Sequence, residues 1–328
     1  MRASKRRWSR RWGGCARALI DVGTIIWSQT VASRTFNGME RKDFIRKGLL
    51  GTGVLVAGRG LAYENRIDEL KPLEPMGFNH LPNDNDMSEN RVLHRAETRG
   101  VANHGWLDSR HTFSFANYYH PERMHFGALR VLNDDHVEPG RGFGTHPHDN
   151  MEIVSIPLSG DLEHKDSMGN VAVIKHGEIQ VMSAGTGITH SEFNRNADQP
   201  VKFLQIWMFP KTRNVEPRYD QLQLDPAARR NRLQQVLSPS PDDDGVWVHQ
   251  DAWWHMGTFD KGHRAKHPLQ RPATHGVYAF VLSGEWTMNG EALGARDGMG
   301  VWSVSELDLE ARTDGAEILL MEVPMALG

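Results

Sequence analysis

The sequence predicts an all-β protein built as two barrels in tandem, with few short helices. Three observations carry this. Runs of β-branched, aromatic and other apolar residues recur along most of the chain, and turn clusters such as Asn133-Asp-Asp and Ser167-Met-Gly169-Asn170 separate them as in a sandwich or barrel. The length, 328 residues with 39% hydrophobic content, is enough for two cores of ordinary size.

The first 38 residues hold no repeating apolar pattern long enough for a core. They read as disordered, or as lying upstream of a start at Met39. Residues 39–64 read as a signal: Glu40-Arg-Lys-Asp-Phe-Ile-Arg-Lys47 precedes the apolar, Gly-rich run Gly48–Ala57, which is too short to serve as a stable membrane anchor. The Arg-Lys-x-Phe-Ile pattern resembles a variant twin-arginine signal, implying export of an already folded protein to the periplasm; the alternative is a surface helix of a cytoplasmic protein. Residues 65–90, rich in Pro, Asn and Asp, read as a linker.

The first barrel is expected over residues 91–210. Arg91–Ala96 opens it as a strand, Phe126–Leu132 alternates, and Phe203-Leu-Gln-Ile-Trp-Met-Phe209 closes it. Trp106, Phe113, Phe115, Tyr118 and Tyr119 supply its wall or the lining of a pocket. Glycines 140, 142 and 144 let the backbone turn and approach closely. A connecting segment over 211–245 is polar, with a short helix expected at Asp225–Leu233, where Asp225 would cap and Pro226 would take the first helical position. Over residues 246–328 strands resume at Val246, Trp253, Gly276, Trp286, Met299, Leu307 and Glu317, and Asn289-Gly290 makes a hairpin turn.

Charge is unevenly spread. Residues 1–47 hold 12 Lys or Arg against Asp21, Glu40 and Asp43, so a chain of net charge −3 has an acidic body, which argues against direct binding of nucleic-acid phosphates. The single cysteine, Cys15, excludes a disulfide within one chain and a thiolate metal site, so any metal must be held by histidine and carboxylate.

Two segments offer such ligands. Gly142-Phe-Gly-Thr-His146-Pro-His148 and Gly187-Ile-Thr-His190-Ser-Glu192 each place two donors two residues apart, on one face of a strand. One His-x-His among 17 histidines could be chance. A second pair after a Gly-rich turn makes a cage of three nitrogens and one oxygen the stronger reading.

These segments resemble the two cupin motifs and, in detail, the pirin family. Supporting phrases are Trp106-Leu-Asp-Ser-Arg-His-Thr-Phe113, Phe126-Gly-Ala-Leu-Arg-Val-Leu-Asn133, Glu163-His-Lys-Asp166 and Leu204-Gln-Ile-Trp207. His120 and His125 depart from it, standing where pirins more often carry Asp and Gly. The resemblance implies two cupin (double-stranded β-helix) barrels, with His146, His148, His190 and Glu192 as metal ligands. Glu152 matches a glutamate that binds metal in many cupins, but the closer family points to Glu192 and leaves Glu152 to orient a ligand histidine. Aligning Leu282-Ser-Gly284 with Leu158-Ser-Gly160 sets Gln270 and Pro272 at the places of His146 and His148, so no cage is expected in the second barrel. His249, His255, His263, His267 and His275 then read as surface or packing residues.

Three imidazoles and a carboxylate suit one divalent transition ion, Fe2+ first and Mn, Co, Ni, Cu or Zn otherwise, with two coordination positions left open. The resemblance implies a dioxygenase that opens a flavonol such as quercetin with O2 and releases CO, Glu192 acting as base; a monomer is expected. The competing reading is an iron-containing, redox-sensing module that binds a protein partner without turnover. A zinc hydrolase is disfavoured because no general base and oxyanion donors stand out.

Overall fold

The computed structural model describes residues 90–327. The readings of a leader, a signal and a linker fall outside the described residues. The chain starts with β1 (Arg91–His94), β2 (Gly100–Asn103), β3 (Leu107–His111), β4 (Leu129–Val137), β5 (Gly142–His148) and β6 (Glu152–Ser159). It continues with β7 (Asp161–Asp166), β8 (Val171–Lys175), β9 (Glu178–Ser183), β10 (Ile188–Asn194), β11 (Val201–Met208) and β12 (Arg218–Gln223). Then come β13 (Gln234–Ser238), β14 (Val246–Trp247), β15 (Trp253–Phe259), β16 (Arg264–Pro268) and β17 (His275–Ser283). The last strands are β18 (Trp286–Met288), β19 (Glu291–Leu293), β20 (Gly298–Trp302), β21 (Glu306–Ala311) and β22 (Ala316–Pro324).

Each barrel joins a seven-stranded sheet to a four-stranded one. The first has orders β12-β9-β6-β11-β4-β3-β2 and β5-β10-β7-β8; the second has β1-β20-β17-β22-β15-β13-β14 and β16-β21-β18-β19. Side chains sort by alternation along strands buried on both faces. On β11, Val201, Phe203 and Trp207 point into the first barrel, while Leu204, Ile206 and Met208 join a core shared with Trp254, Met256, Tyr278, Phe280 and Met321 of the second. On β22, Ile318 and Leu320 fill the second barrel and Leu319 and Met321 face the first. Continuous apolar runs such as Phe203-Leu-Gln-Ile-Trp-Met208 follow from this two-sided burial, which contributes about 1.5–3 kcal/mol per large side chain.

The all-β expectation holds, and three details differ from the sequence reading. The strand at Arg91, expected to open the first barrel, instead pairs antiparallel with β20 of the second, and His94 accepts or donates at Nδ1 to the Tyr278 hydroxyl at 2.8 Å. β12, from the expected connecting segment, pairs with β9 of the first barrel. The helix at Asp225–Leu233 does not form. Asp225 Oδ1 does accept from the Ala227 N–H at 2.9 Å, but Asn231 adopts a left-handed φ of 53° and is bound to Asp260 in both directions at 2.8 Å, so the chain turns away after one turn. Among the described residues the one helical element is a 3-10 turn at Ala96–Thr98.

The two interiors differ in polarity. The second is filled by one apolar cluster around Phe259, Trp286 and Leu320. In the first, two apolar clusters are separated by buried Asn133, Asp135, Ser155, Glu192 and Gln205.

Candidate metal centre

β5 and β10 run antiparallel with His146 opposite His190 and His148 opposite Ile188. Between His190 and Glu192 the register shifts, with His146 to Phe143 of β5 set against only two steps of β10, so the bulge lies in β5 at Gly144-Thr145 while β10 stays in regular register with β7 and keeps His190 and Glu192 on one face. The close packing needs a bare backbone at Gly142, since a Cβ there would run into the Glu192 carbonyl. The close approach expected of this glycine is therefore to the neighbouring strand.

The three imidazoles converge. Ring centroids of His146, His148 and His190 lie 4.4 to 4.9 Å apart, and the Nε2 atoms of His148 and His190 are 3.1 Å apart. His146 Nδ1 lies 2.7 Å from the Gly144 carbonyl, so it carries the proton and leaves Nε2 with a free lone pair. Burial holds all three rings below their usual pKa, His148 down to about 3, with neighbouring imidazoles adding to the effect on His148 and His190. Neutral rings with converging lone pairs suit a cation.

Glu192 is buried, with Oε1 accepting from the Ser155 hydroxyl at 3.0 Å and Oε2 from the Gln205 amide at 2.6 Å. Burial raises its pKa to about 7 against the opposing pull of those two donors. The four expected residues fall into two overlapping groups sharing His190: His146, His148 and His190 in one, His164, His190 and Glu192 in the other, each with donor atoms within 4.8 Å. Either group could hold an ion.

His164 is a further donor that the spacing of the two ligand pairs does not point to, although it lies two residues before Asp166 on the strand flanking β10. It is fully buried, its ring tilted at 37° to that of Tyr219 with centroids 4.8 Å apart, with Nδ1 3.5 Å from His190 Nδ1 and Nε2 3.1 Å from Asp166 Oδ2. Asp166 is itself fixed by the Asn170 side chain at 2.8 Å and by the backbone N–H groups of Met168 and Asn170. Burial pushes its carboxyl up, but the hydrogen bonds from Asn170 and His164 outweigh that and hold it below the usual range.

Glu152 does not touch the histidines. It has the strand parity of Val154 and Ile156, which face the shared core between the barrels, whereas Ile153 and Ser155 face the first interior. Its Oε2 accepts from Ser183 at 2.7 Å, and the His249 backbone also bonds to it. The role of orienting a ligand histidine therefore falls to other residues. The aromatic expectation divides as well. Phe115 packs edge-on against Trp207, whose ring lies 4.8 Å from His148, while Phe113 belongs to the shared core and Tyr119 is exposed.

The family model described as Pirin matches residues 93–208, and one described as Quercetinase C-terminal cupin domain matches residues 235–323. The chain is 45% identical over 232 residues to a quercetin 2,3-dioxygenase of Escherichia coli K12, covering 71% of this chain and 98% of that one. It is 40% identical over 225 residues to a putative quercetin 2,3-dioxygenase of Pseudomonas aeruginosa, covering 68% and 95%. The crystal structure of the bacterial pirin YhhW from Escherichia coli in complex with nickel(II) superposes with a TM-score of 0.68 at 43% identity, over 72% of this chain and 100% of that chain.

Proposed function

We propose that this chain, which belongs to the pirin family, is a metal-dependent dioxygenase that opens the central ring of a flavonol such as quercetin with O2 and releases CO. The observation that carries the reading is the convergence of three neutral imidazoles beside a buried carboxylate, in a chain similar to quercetin 2,3-dioxygenases along almost their whole length.

His146, His148, His190 and Glu192 would hold the ion, with iron(II) as the first candidate and Mn, Co, Ni, Cu or Zn compatible with the same donors. Bound there, a divalent transition ion would supply Lewis acidity and a route for electrons to dioxygen. Glu192 takes the proton of the flavonol 3-hydroxyl. Without an ion, burial raises this carboxyl to about 7, and an ion bound beside it would draw it back down, leaving a carboxylate able to take a proton near neutrality. Ser155 and Gln205 hold both of its oxygens in place. Trp207 and Phe115 put an aromatic wall beside His148, suited to a flat phenolic substrate.

The test is aerobic incubation of the iron-loaded protein with quercetin, following loss of the flavonol absorbance together with CO. Equimolar loss and release are expected. No turnover with several flavonols and several metals would overturn the proposal and leave the redox-sensing module.

A further inference from the structure

The second barrel repeats the small sheet of the first, β16-β21-β18-β19 corresponding to β5-β10-β7-β8. Where His146 on β5 faces His190 on β10, His267 on β16 faces Leu307 on β21. Leu309 stands two residues further along β21, as Glu192 does along β10, and both leucines are buried in the barrel core. The second ladder thus has an imidazole on one strand and apolar side chains on the other.

The space beside that ladder remains open. A cavity of about 470 Å³ lies against His267 and is lined also by His255, Arg232, Leu233, Ala265 and Pro268. The His255 and His267 rings meet edge to face with centroids 4.5 Å apart. They are 9% and 6% exposed, and His255 Nδ1 and His267 Nε2 have no hydrogen-bond partner. Those two atoms are closed off from solvent, so each neutral ring is best protonated on its other nitrogen, His255 Nε2 and His267 Nδ1, neither of which has a hydrogen-bond partner among the described residues. Burial holds both rings neutral, so each offers an N–H donor.

The charge around the cavity selects the ligand's sign. Its lining includes three cations and no acid. Two of these are already paired: Arg264 with Glu310 at 3.0 Å and Lys266 with Glu306 at 2.6 Å. Arg232 reaches a backbone carbonyl at 3.4 Å and, among the described residues, has no acidic partner. A free guanidinium is suited to a carboxylate, and Leu233 and Ala265 offer apolar surface to a flat ring. We infer that this cavity of the second barrel binds a small aromatic carboxylate, with its anionic head on Arg232 and the His255 and His267 imidazoles and its ring against Leu233 and Ala265. The site is separate from the metal centre and does not depend on the dioxygenase reading.

Titration of the full-length protein, loaded with one equivalent of zinc, with benzoate tests this. Histidine ring signals are followed by NMR and assigned with His255→Gln and His267→Gln, and inorganic phosphate serves as the comparison anion. The expected result is a saturable one-to-one shift of the His255 and His267 signals, a Kd raised about tenfold or more in Arg232→Gln, and no such shift with phosphate. Arg232 is exposed, so its variant keeps the test valid if a histidine variant fails to fold. Absence of a saturable shift, an unchanged Kd in Arg232→Gln, or shifts confined to His146, His148 and His190 would overturn the inference. So would an equal response to phosphate, or a second equivalent of zinc captured by His255 and His267.

Discussion

His164 and His190 stand with their Nδ1 atoms 3.5 Å apart, and His164 turns its other nitrogen to Asp166 at 3.1 Å. The Asp166 carboxylate accepts a hydrogen bond from the His164 Nε2–H, which leaves His164 Nδ1 as an acceptor. His190 then donates from Nδ1 and keeps its Nε2 lone pair, 3.1 Å from that of His148, for an ion. One carboxylate at the end of β7, in register with His190, thereby sets the tautomer of that donor through His164.

Asp166→Asn removes that tautomer lock, because an amide can offer His164 an N–H. Nickel affinity, measured by competition with a chelator, should fall roughly 10- to 100-fold with an unchanged circular dichroism spectrum. An affinity equal to that of the parent protein would mean that His190 needs no such partner.

Gln205→Leu takes away the 2.6 Å donor to Glu192 and leaves the burial that raises its pKa. The carboxylate is then harder to form, so the acid limb of kcat/KM for flavonol turnover moves to higher pH. Activity should drop on the order of tenfold on the acid side of the profile and much less on its plateau. A uniform loss at every pH would count against Glu192 as the base.

The centre was legible in the sequence because strand side chains repeat every two residues, so His146-x-His148 and His190-x-Glu192 declared their own faces. Parity relative to the core is less visible. Glu152 and Ser155 lie on one strand three residues apart and so face opposite ways, but which of them looks into the barrel is decided by the packing of Val154 and Ile156 against the other barrel. Non-local pairing is not written locally either. Arg91–His94 reads as a strand anywhere, and its partner lies some 200 residues on, at Gly298–Val301. At Asp225 a good capping residue promised a helix, and the long-range bonds between Asn231 and Asp260 overrode it.

The metal-free protein should lose stability steeply as pH falls below about 6.5. Burial lowers His94, His111 and His267 to about 4 and His148 and His255 to about 3, and it lowers His190 as well. The unfolded chain takes up these protons below the ordinary histidine value and the folded chain does not. Asp135, Glu152 and Glu192, raised to about 7 by burial, act in the opposite sense, since the folded state holds their protons up to that pH. Six histidines outweigh three acids, giving a net loss on the order of a few kcal/mol per pH unit between about 6.5 and 4.5. Urea midpoints measured across that window should fall; constant or rising midpoints would show that the buried histidines are solvated.

Glu152 and Glu192 make a matched pair for mutation, since both are buried and both are raised to about 7, yet only one looks into the first barrel. Glu152→Gln keeps an oxygen to accept from Ser183 and from the His249 backbone, and it changes nothing within reach of the imidazoles. Nickel affinity should stay within about twofold of the parent value, since no donor or donor-orienting group is lost. Glu192→Gln replaces an anionic donor by a neutral amide beside His190, so affinity should fall at least about tenfold. Its pH dependence should change with it. In the parent protein ion binding must displace the Glu192 proton, so affinity rises as pH passes through about 7, and in Glu192→Gln that rise should disappear. Equal losses in the two variants, or a pH dependence that follows Glu152 instead, would show that the carboxylate facing the shared core reaches the ion after all.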